Sequence, residues 1–132
     1  DYVVYLPEAL LDSEVEEKTL ETAFDYHAGE SETSQLLYLH PELVKADAIP
    51  TEPGKPLKRS KVPGIMTPIY WSADYPEHYA GDARPATSEK GRILVENVVK
   101  NLVEVIRKVK ADDTTLTLLR DYQKKERAGG LS

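Results

Sequence analysis

The sequence has no cysteine among its 132 residues, so neither a disulfide bond nor a zinc site built on thiolates is available to it. Any metal must be held by imidazole and carboxylate groups, and the histidines are His27, His40 and His78. A run of about 18 apolar residues, which a membrane-spanning helix requires, is also missing. Residues 1–6 lack the basic start and the long apolar stretch of a signal peptide. These absences predict a cytoplasmic protein with no membrane partner.

The sequence has fewer basic than acidic residues, so its formal net charge is −6. A negative chain is repelled by phosphate backbones, which supply most of the affinity in non-specific binding to nucleic acids. The basic cluster within residues 55–61 is short and lies among prolines. We therefore expect no nucleic acid partner.

The start of the chain is unusual, since Asp1 stands where a methionine is expected and a strand-like segment follows at once. Residues 2–6 are mostly β-branched or aromatic and are bounded by Pro7, a pattern typical of a strand. This start predicts a processed, cleaved or partial polypeptide, with a trimmed tag or a leader segment as the alternative. One strand leaves its backbone groups unpaired, so the other strands of a sheet would come from a missing first half or from a partner chain.

Apolar spacing predicts helices at about residues 14–23 and 32–39, from Thr87 to about Lys110, and from Thr115 to Arg127. The third is the strongest, because its apolar residues recur at steps of three and four and form one face that should be buried. These residues are Ile93, Leu94, Val98, Leu102, Val105, Ile106 and Val109. Residues 49–85 are rich in proline and have little periodicity, which predicts a long irregular excursion, ordered by its aromatic residues.

The densest polar cluster occupies residues 25–34, where a loop enters a predicted helix. His27 with a neighbouring carboxylate can act as a general acid or base near neutral pH, and the small Gly29 lets the backbone approach a ligand closely. The free amides of the first helical turn favour an anion, either a reaction intermediate or a carboxylate. The alternative is a capped helix start with a surface histidine, because Ser31 or Thr33 in that place is ordinary capping chemistry.

Residues 25–34 also match a longer pattern. They resemble the D-x-H-A-G-E-x-E-T-S signature of the creatininase (creatinine amidohydrolase) family, and residues 36–44 resemble the family segment directly after that signature. Residues 81–91 resemble the family's glycine-and-acid turn before its last long helix. The resemblance divides the chain into the C-terminal half of a creatininase-like domain, residues 1–110, and a helical tail, residues 111–132.

The resemblance implies a three-layer α/β/α fold with a mostly parallel central sheet, often assembled as a homo-oligomeric hexamer. It also implies a metal-dependent amidohydrolase that cleaves a C–N bond of a small-molecule substrate at a two-metal centre. The family's ligands, a Glu-x-His pair, an Asp and a His-x-Glu pair, lie in the first half of the family chain. Residues 40–42 have the His-x-Glu spacing by accident, so this chain is expected to supply no metal ligand. Zinc or manganese would be bound by the N-terminal half.

The same resemblance assigns roles to individual residues. His27 corresponds to the family's proton-donating histidine, and Glu32 to the glutamate that orients it or a substrate amine. Asp25, Phe24 and Gly29 are the implied substrate contacts. Creatinine hydrolases proper place the aspartate three residues before the histidine with a tryptophan beside it, whereas here Asp25 precedes His27 by two and adjoins Phe24. A related ring amide, a formamide or a carbonyl ring compound is therefore at least as good a candidate substrate as creatinine.

A second hypothesis is a non-catalytic subunit or interaction module, which keeps the second half of the fold for assembly. Bound metal together with a second chain of comparable size would favour the enzyme. A metal-free chain that folds alone would favour the module.

Overall fold

The structure is a computed structural model that describes residues 2–59, 62, 65 and 67–129. Its α-helices are α1 (Ser13–Thr19), α2 (Glu30–Leu39), α3 (Tyr70–Asp74), α4 (Ser88–Ala111) and α5 (Thr115–Arg127). Two short 3-10 helices follow α2, at Pro41–Leu43 and Ala46–Ala48. None of the helices in this part of the chain is long and apolar enough to cross a membrane. Asp1 at the chain start and Lys61 of the basic cluster lie outside the described residues.

The chain forms two compact units. One consists of Asp1–Leu10 and Val99–Ser132, and the other of Leu11–Val98. The second unit contains residues 25–34, so it is the unit that positions the candidate site. The division of the chain at residue 110 stays a prediction.

The helices expected from apolar spacing are present. The helix from Thr87 is confirmed as Ser88–Ala111, and α5 has the predicted bounds. α2 begins at Glu30, two residues earlier than expected. α1 ends at Thr19 rather than near residue 23, because Leu20 already has an extended backbone. Local periodicity therefore located α1, α2, α4 and α5, with errors of a few residues at their ends, but not the short α3, which lies in the segment predicted to be irregular.

The predicted α/β fold with a mostly parallel central sheet is wrong for the described residues, which contain no sheet. Their β pairing is limited to one antiparallel bridge between His27 and Ala80. Residues 2–6 form no strand, and Tyr2 and Leu6 are 82% and 91% exposed. A β-branched and aromatic segment becomes a strand only where a neighbouring strand binds its backbone groups, and none of the described residues does so.

The apolar face of α4 is buried only in part. Leu94 is fully buried, but Ile93 and Ile106 are 36% and 43% exposed. The spacing therefore identified the helix correctly and overestimated its burial. Among the described residues of the second unit, buried side chains are as often polar as apolar, and Glu30 and Ser34 are two of the polar ones. All the buried polar side-chain atoms in the described part of the chain have a hydrogen-bond partner.

Helices α2 and α4 come very close at Gly91. A Cβ atom there would lie 1.9 Å from the carbonyl oxygen of Ser34, so only glycine permits this approach. The Ser34 hydroxyl, which is buried, also accepts a hydrogen bond from the Thr87 amide at 3.1 Å. The start of α4 is thus fixed against the helix that carries part of the candidate site.

Gly91→Ala should lower the free energy of unfolding by about 1–3 kcal/mol, because the added methyl group forces two backbones apart. The better helix propensity of alanine, worth about 1 kcal/mol, works against this loss and is too small to reverse it. Urea denaturation of the purified protein measures the effect. Lys100→Ala, at an exposed position of the same helix, is the control and should change stability by less than about 0.5 kcal/mol. Equal stability of the two variants would show that the helices do not meet at Gly91.

Candidate active site

The backbone of His27 is hydrogen-bonded to a second segment of the chain, at Ala80. The amides of Tyr26 and His27 both donate to the carbonyl oxygen of Ala80, at 2.8 and 3.0 Å, and the Ala80 amide donates back to His27 at 3.0 Å. Ala80 is fully buried, whereas the side chain of His27 is 49% exposed. The loop is therefore fixed while the imidazole remains accessible.

The side chains of His27 and Glu32 lie together. His27 Nδ1 is 3.2 Å from Glu32 Oε2, and the same oxygen accepts a hydrogen bond from the Ala28 amide at 2.6 Å. Ala28 has a left-handed backbone with φ of 55°, a conformation that costs energy for a residue other than glycine and clusters at functional sites. The turn at Ala28 thus places two donors on one carboxylate oxygen.

Glu32 determines which nitrogen of His27 is left as an acceptor. An ionised carboxylate only accepts hydrogen bonds, so Nδ1 carries a proton and Nε2 of the neutral ring keeps its lone pair. Among the described residues, no protein group is bonded to Nε2. This nitrogen can take up and return a proton, and the neighbouring carboxylate would stabilise the imidazolium formed in between.

A cleft of about 500 Å³ adjoins the pair. It is lined by His27, Ala28, Glu32, Thr33, Gln35, Leu36 and Leu39. Most of these residues belong to α2, which contributes the apolar part of the wall. A cleft of this size with one titratable pair against an apolar wall is suited to a small molecule.

Aromatic side chains of α3 approach His27 from another side. The ring centroids of His27 and Trp71 are 5.8 Å apart, and those of Trp71 and Tyr75 are 4.8 Å apart. The Trp71 indole N–H donates to His78 Nδ1 at 3.1 Å, which fixes the orientation of the indole. Sequence reasoning did not connect Trp71 with His27, because they are distant in the chain. The only signal was the aromatic content of residues 49–85.

Asp25 precedes α2 in the chain, and its side chain reaches the start of that helix. Its Oδ2 accepts a hydrogen bond from the Ser31 amide at 2.6 Å, so it satisfies a free N–H group of the first helical turn. Burial raises the pKa of Asp25, and the charges of Glu30 and Glu32 add to that rise, while the Ser31 hydrogen bond opposes it. The free amide of Ser31 at this helix start is therefore bound by the carboxylate of Asp25. The substrate-binding role of Asp25 stays a prediction.

Gly29 and Phe24 do not face the cleft beside His27. Gly29 is buried, and a Cβ atom there would lie 1.8 Å from Asp25 Oδ1, so its missing side chain makes room for Asp25. Phe24 stacks on Tyr75 at 6.5 Å and lines a separate cleft. Their substrate-binding roles also stay predictions. Of the predicted site residues, His27 and Glu32 are the two that meet in one cleft.

The described residues do not fit a metal centre by themselves. No group of three or more His, Asp or Glu side chains in this part of the chain is placed to hold an ion. His40 pairs with Glu42, Nδ1 to Oε1 at 3.2 Å, and both side chains are more than 60% exposed. This pair has the spacing of a ligand motif but no third partner.

The comparisons with known proteins agree with the signature at residues 25–34. The profile described as Creatininase: Creatinine amidohydrolase matches residues 3–106. A crystal structure of a candidate creatinine amidohydrolase from Bacteroides fragilis NCTC 9343 is 30% identical to the chain, with a TM-score of 0.63. That match covers 76% of this chain and 42% of the other, so the chain spans less than half the length of that protein. No curated protein matches the chain significantly.

The match over residues 3–106 covers more than half of the chain, so it defines the class of protein. The chain belongs to the creatininase family. Members of this family are generally metal-dependent. The resemblance predicted from residues 25–34 is thereby confirmed.

Proposed function

We propose that this chain is part of a metal-dependent amidohydrolase in which His27 moves a proton at the C–N bond of a small cyclic amide or related molecule. The observation that carries the proposal is the His27–Glu32 pair, 3.2 Å apart and open to a cleft. Family membership supports the reaction class. A formamide or a carbonyl ring compound remains within the same proposal.

The residues of this chain serve the departure of the nitrogen. Amide hydrolysis requires a proton on the leaving nitrogen, which a positioned side chain can deliver in the transition state. His27 Nε2 would take up a proton from the attacking water and then deliver it to the leaving nitrogen, while Glu32 holds the ring through Nδ1 and stabilises its charged form. The Ala28 amide in turn holds Glu32 at 2.6 Å. The Ala28 amide thus fixes Glu32, and Glu32 fixes the ring of His27.

Zinc or manganese would be bound outside these residues, on an N-terminal half or a partner chain without which the enzyme is inactive. The length of the related structure supports this part, since the match covers only 42% of it. A homo-oligomer, for which a hexamer is the family's common form, is supported by apolar side chains of α4 at the surface. Val99, Leu102 and Val103 are 52%, 38% and 38% exposed.

Three measurements on the purified protein test the proposal together. Intact mass spectrometry should reveal a second polypeptide segment, and elemental analysis should find zinc or manganese. Creatinine, other cyclic amides and formamides are then assayed for hydrolysis before and after treatment with a chelator. We expect activity on at least one of these compounds, loss of that activity with the chelator, and recovery when either metal is returned. A metal-loaded assembly that hydrolyses none of them would favour the non-catalytic module.

A further inference from the structure

A buried carboxylate lies in the same segment of the chain as His27 and Glu32. Glu30, the first residue of α2, has no exposed surface. It accepts hydrogen bonds from the Glu21 amide at 2.9 Å, and from the Thr22 amide and the Thr22 hydroxyl at 2.8 Å each. Its Oε1 is 2.5 Å from Lys90 Nζ. A buried charge is tolerated only when it is paired and hydrogen-bonded, and Glu30 meets both conditions.

Lys90 occupies an unfavourable place in its helix. It lies in the first turn of α4, where the positive end of the helix dipole disfavours a cation. Its ammonium group has three acceptors, namely Glu30 Oε1, Glu21 Oε1 at 2.6 Å and the carbonyl oxygen of Pro85 at 2.9 Å. The side chain is only 16% exposed. The contacts with the two carboxylates explain why a lysine is held at this position.

These contacts close both ends of the segment that carries His27. Thr22 lies near the start of the loop and Glu30 at its end, and they are joined through the Glu30 carboxylate. Lys90 ties that junction to α4. In the middle of the loop, Ala80 holds the His27 backbone. Removing the junction would leave the Ala80 contact and the local hydrogen bonds within residues 25–32 to position the loop.

We propose that Lys90 and Glu30 are positioning residues, which hold His27 and Glu32 in the geometry required for proton transfer. This inference rests on the proposed function, since it assumes that His27 moves the proton. Neither residue lines the cleft beside His27. Displacement of a reacting group by about 1 Å can lower a rate by about 100-fold, so a loosened loop should affect turnover strongly.

The contact between Lys90 and Glu30, called the clamp below, depends on pH through the charge of Glu30. Burial raises the pKa of Glu30, but the hydrogen bonds from Lys90, Thr22 and Glu21 outweigh it, and the pKa lies below its usual value. A lowered carboxyl pKa stabilises the fold above the usual pKa, and this stabilisation is lost as the pH falls through the lowered one. The charged groups near Glu30 are Lys90, Glu21 and Asp25. Without the cation, the clamp should open at a higher pH.

Steady-state kinetics of Lys90→Met, Glu30→Gln and the double variant test the clamp in the assembled, metal-loaded enzyme. We expect each single change to lower kcat by about 10- to 100-fold with KM changed by less than about twofold. The double variant should resemble the single ones, because all three break the same contact. In Lys90→Met the acid limb of the pH profile should move to higher pH. Lys100→Met, on the same helix, is the control and should leave kcat unchanged.

A second variant covers the case in which Lys90→Met does not fold. Thr22→Val removes one hydrogen bond to Glu30, keeps the shape of the side chain and leaves the charges in place. Its kcat should fall several-fold with KM unchanged. Unchanged kcat in Thr22→Val, or a loss of thermal stability in Lys90→Met with unchanged kcat and pH profile, would overturn the clamp.

An NMR measurement separates failure of the clamp from failure of the proposed function. The ring protons of His27 and Trp71 should give a nuclear Overhauser effect in the original protein and in Lys100→Met. We expect this signal to weaken strongly in Lys90→Met and measurably in Thr22→Val. If the protein hydrolyses no amide and the signal still weakens, the proposed reaction is wrong and the clamp stands. An unchanged signal in both variants would contradict the positioning role of Lys90 and Glu30.

Discussion

Replacing His27 by alanine should lower turnover by roughly two to four orders of magnitude, which is the range for loss of a positioned general acid or base. The imidazole is the one titratable group in the described part of the chain that combines an open nitrogen with a fixed carboxylate partner in the cleft, Glu32 at 3.2 Å from Nδ1. Single-turnover and steady-state rates of the assembled enzyme measure the effect. KM should change little, because the alanine removes a proton donor rather than the apolar wall of the cleft.

The metal content of His27→Ala decides how its loss of activity is interpreted. We expect elemental analysis to find the same metal content as in the original protein, since no three-ligand group in the described part of the chain includes His27. His40→Ala is a suitable control, because His40 pairs with Glu42 on the surface and does not line the cleft beside His27. An emptied metal site in His27→Ala would make His27 a ligand and contradict its role as a proton donor.

The second large effect concerns Glu32. Glu32→Gln should raise the barrier by roughly 2–4 kcal/mol, by analogy with the loss of preorganised electrostatic contacts. Glutamine can still accept the hydrogen bond from the Ala28 amide, so the geometry of the turn is kept and mainly the charge beside His27 is removed. If Glu32 merely gained from the positive end of the α2 dipole, the cost would be about 0.3–1 kcal/mol. Steady-state kinetics distinguish these two ranges.

The control for this experiment should be an exposed carboxylate, because replacing a buried one would disturb the loop. Glu30 is the neighbouring carboxylate in sequence, but it is fully buried and bound to Lys90, so its replacement would disturb the loop itself. Glu17, which is exposed on α1, is the better choice. Small and nearly equal effects of Glu32→Gln and Glu17→Gln would reduce Glu32 to a favourable charge at a helix start.

The helices α1, α2, α4 and α5 and the location of the site were predictable from the sequence because their signals are local, whereas the five-residue α3 was not predicted. A helix is recognised from apolar residues three and four positions apart, and α5 follows that pattern from Thr115 to Arg127. The signature at residues 25–34 is a contiguous stretch, and the match over residues 3–106 confirms the family that it indicates. His27 and Glu32 are five residues apart, so a loop followed by one helical turn is enough to bring them together.

The sheet was wrongly predicted because strand pairing is not a local property. Residues 2–6 have the composition of a strand, but such a segment forms a ladder only when another strand lies beside it. No strand of the described residues does so. The partial burial of α4 has a similar cause. Spacing along a helix shows which face is apolar, whereas the amount of that face that is covered depends on the segments packed against it.

The sequence by itself determined the family, the four longer α-helices and the polar segment in which a proton could be moved. Tertiary structure alone decided what surrounds that segment, because the contacts join residues far apart in the chain. Lys90 reaches Glu30, and Trp71 packs beside His27, only because the loops bring distant elements together. A lysine in the first turn of α4 contradicts the helix dipole, so the sequence contained a sign that its partner lay elsewhere. The identity of that partner required the fold, since any of the many carboxylates could have paired with it.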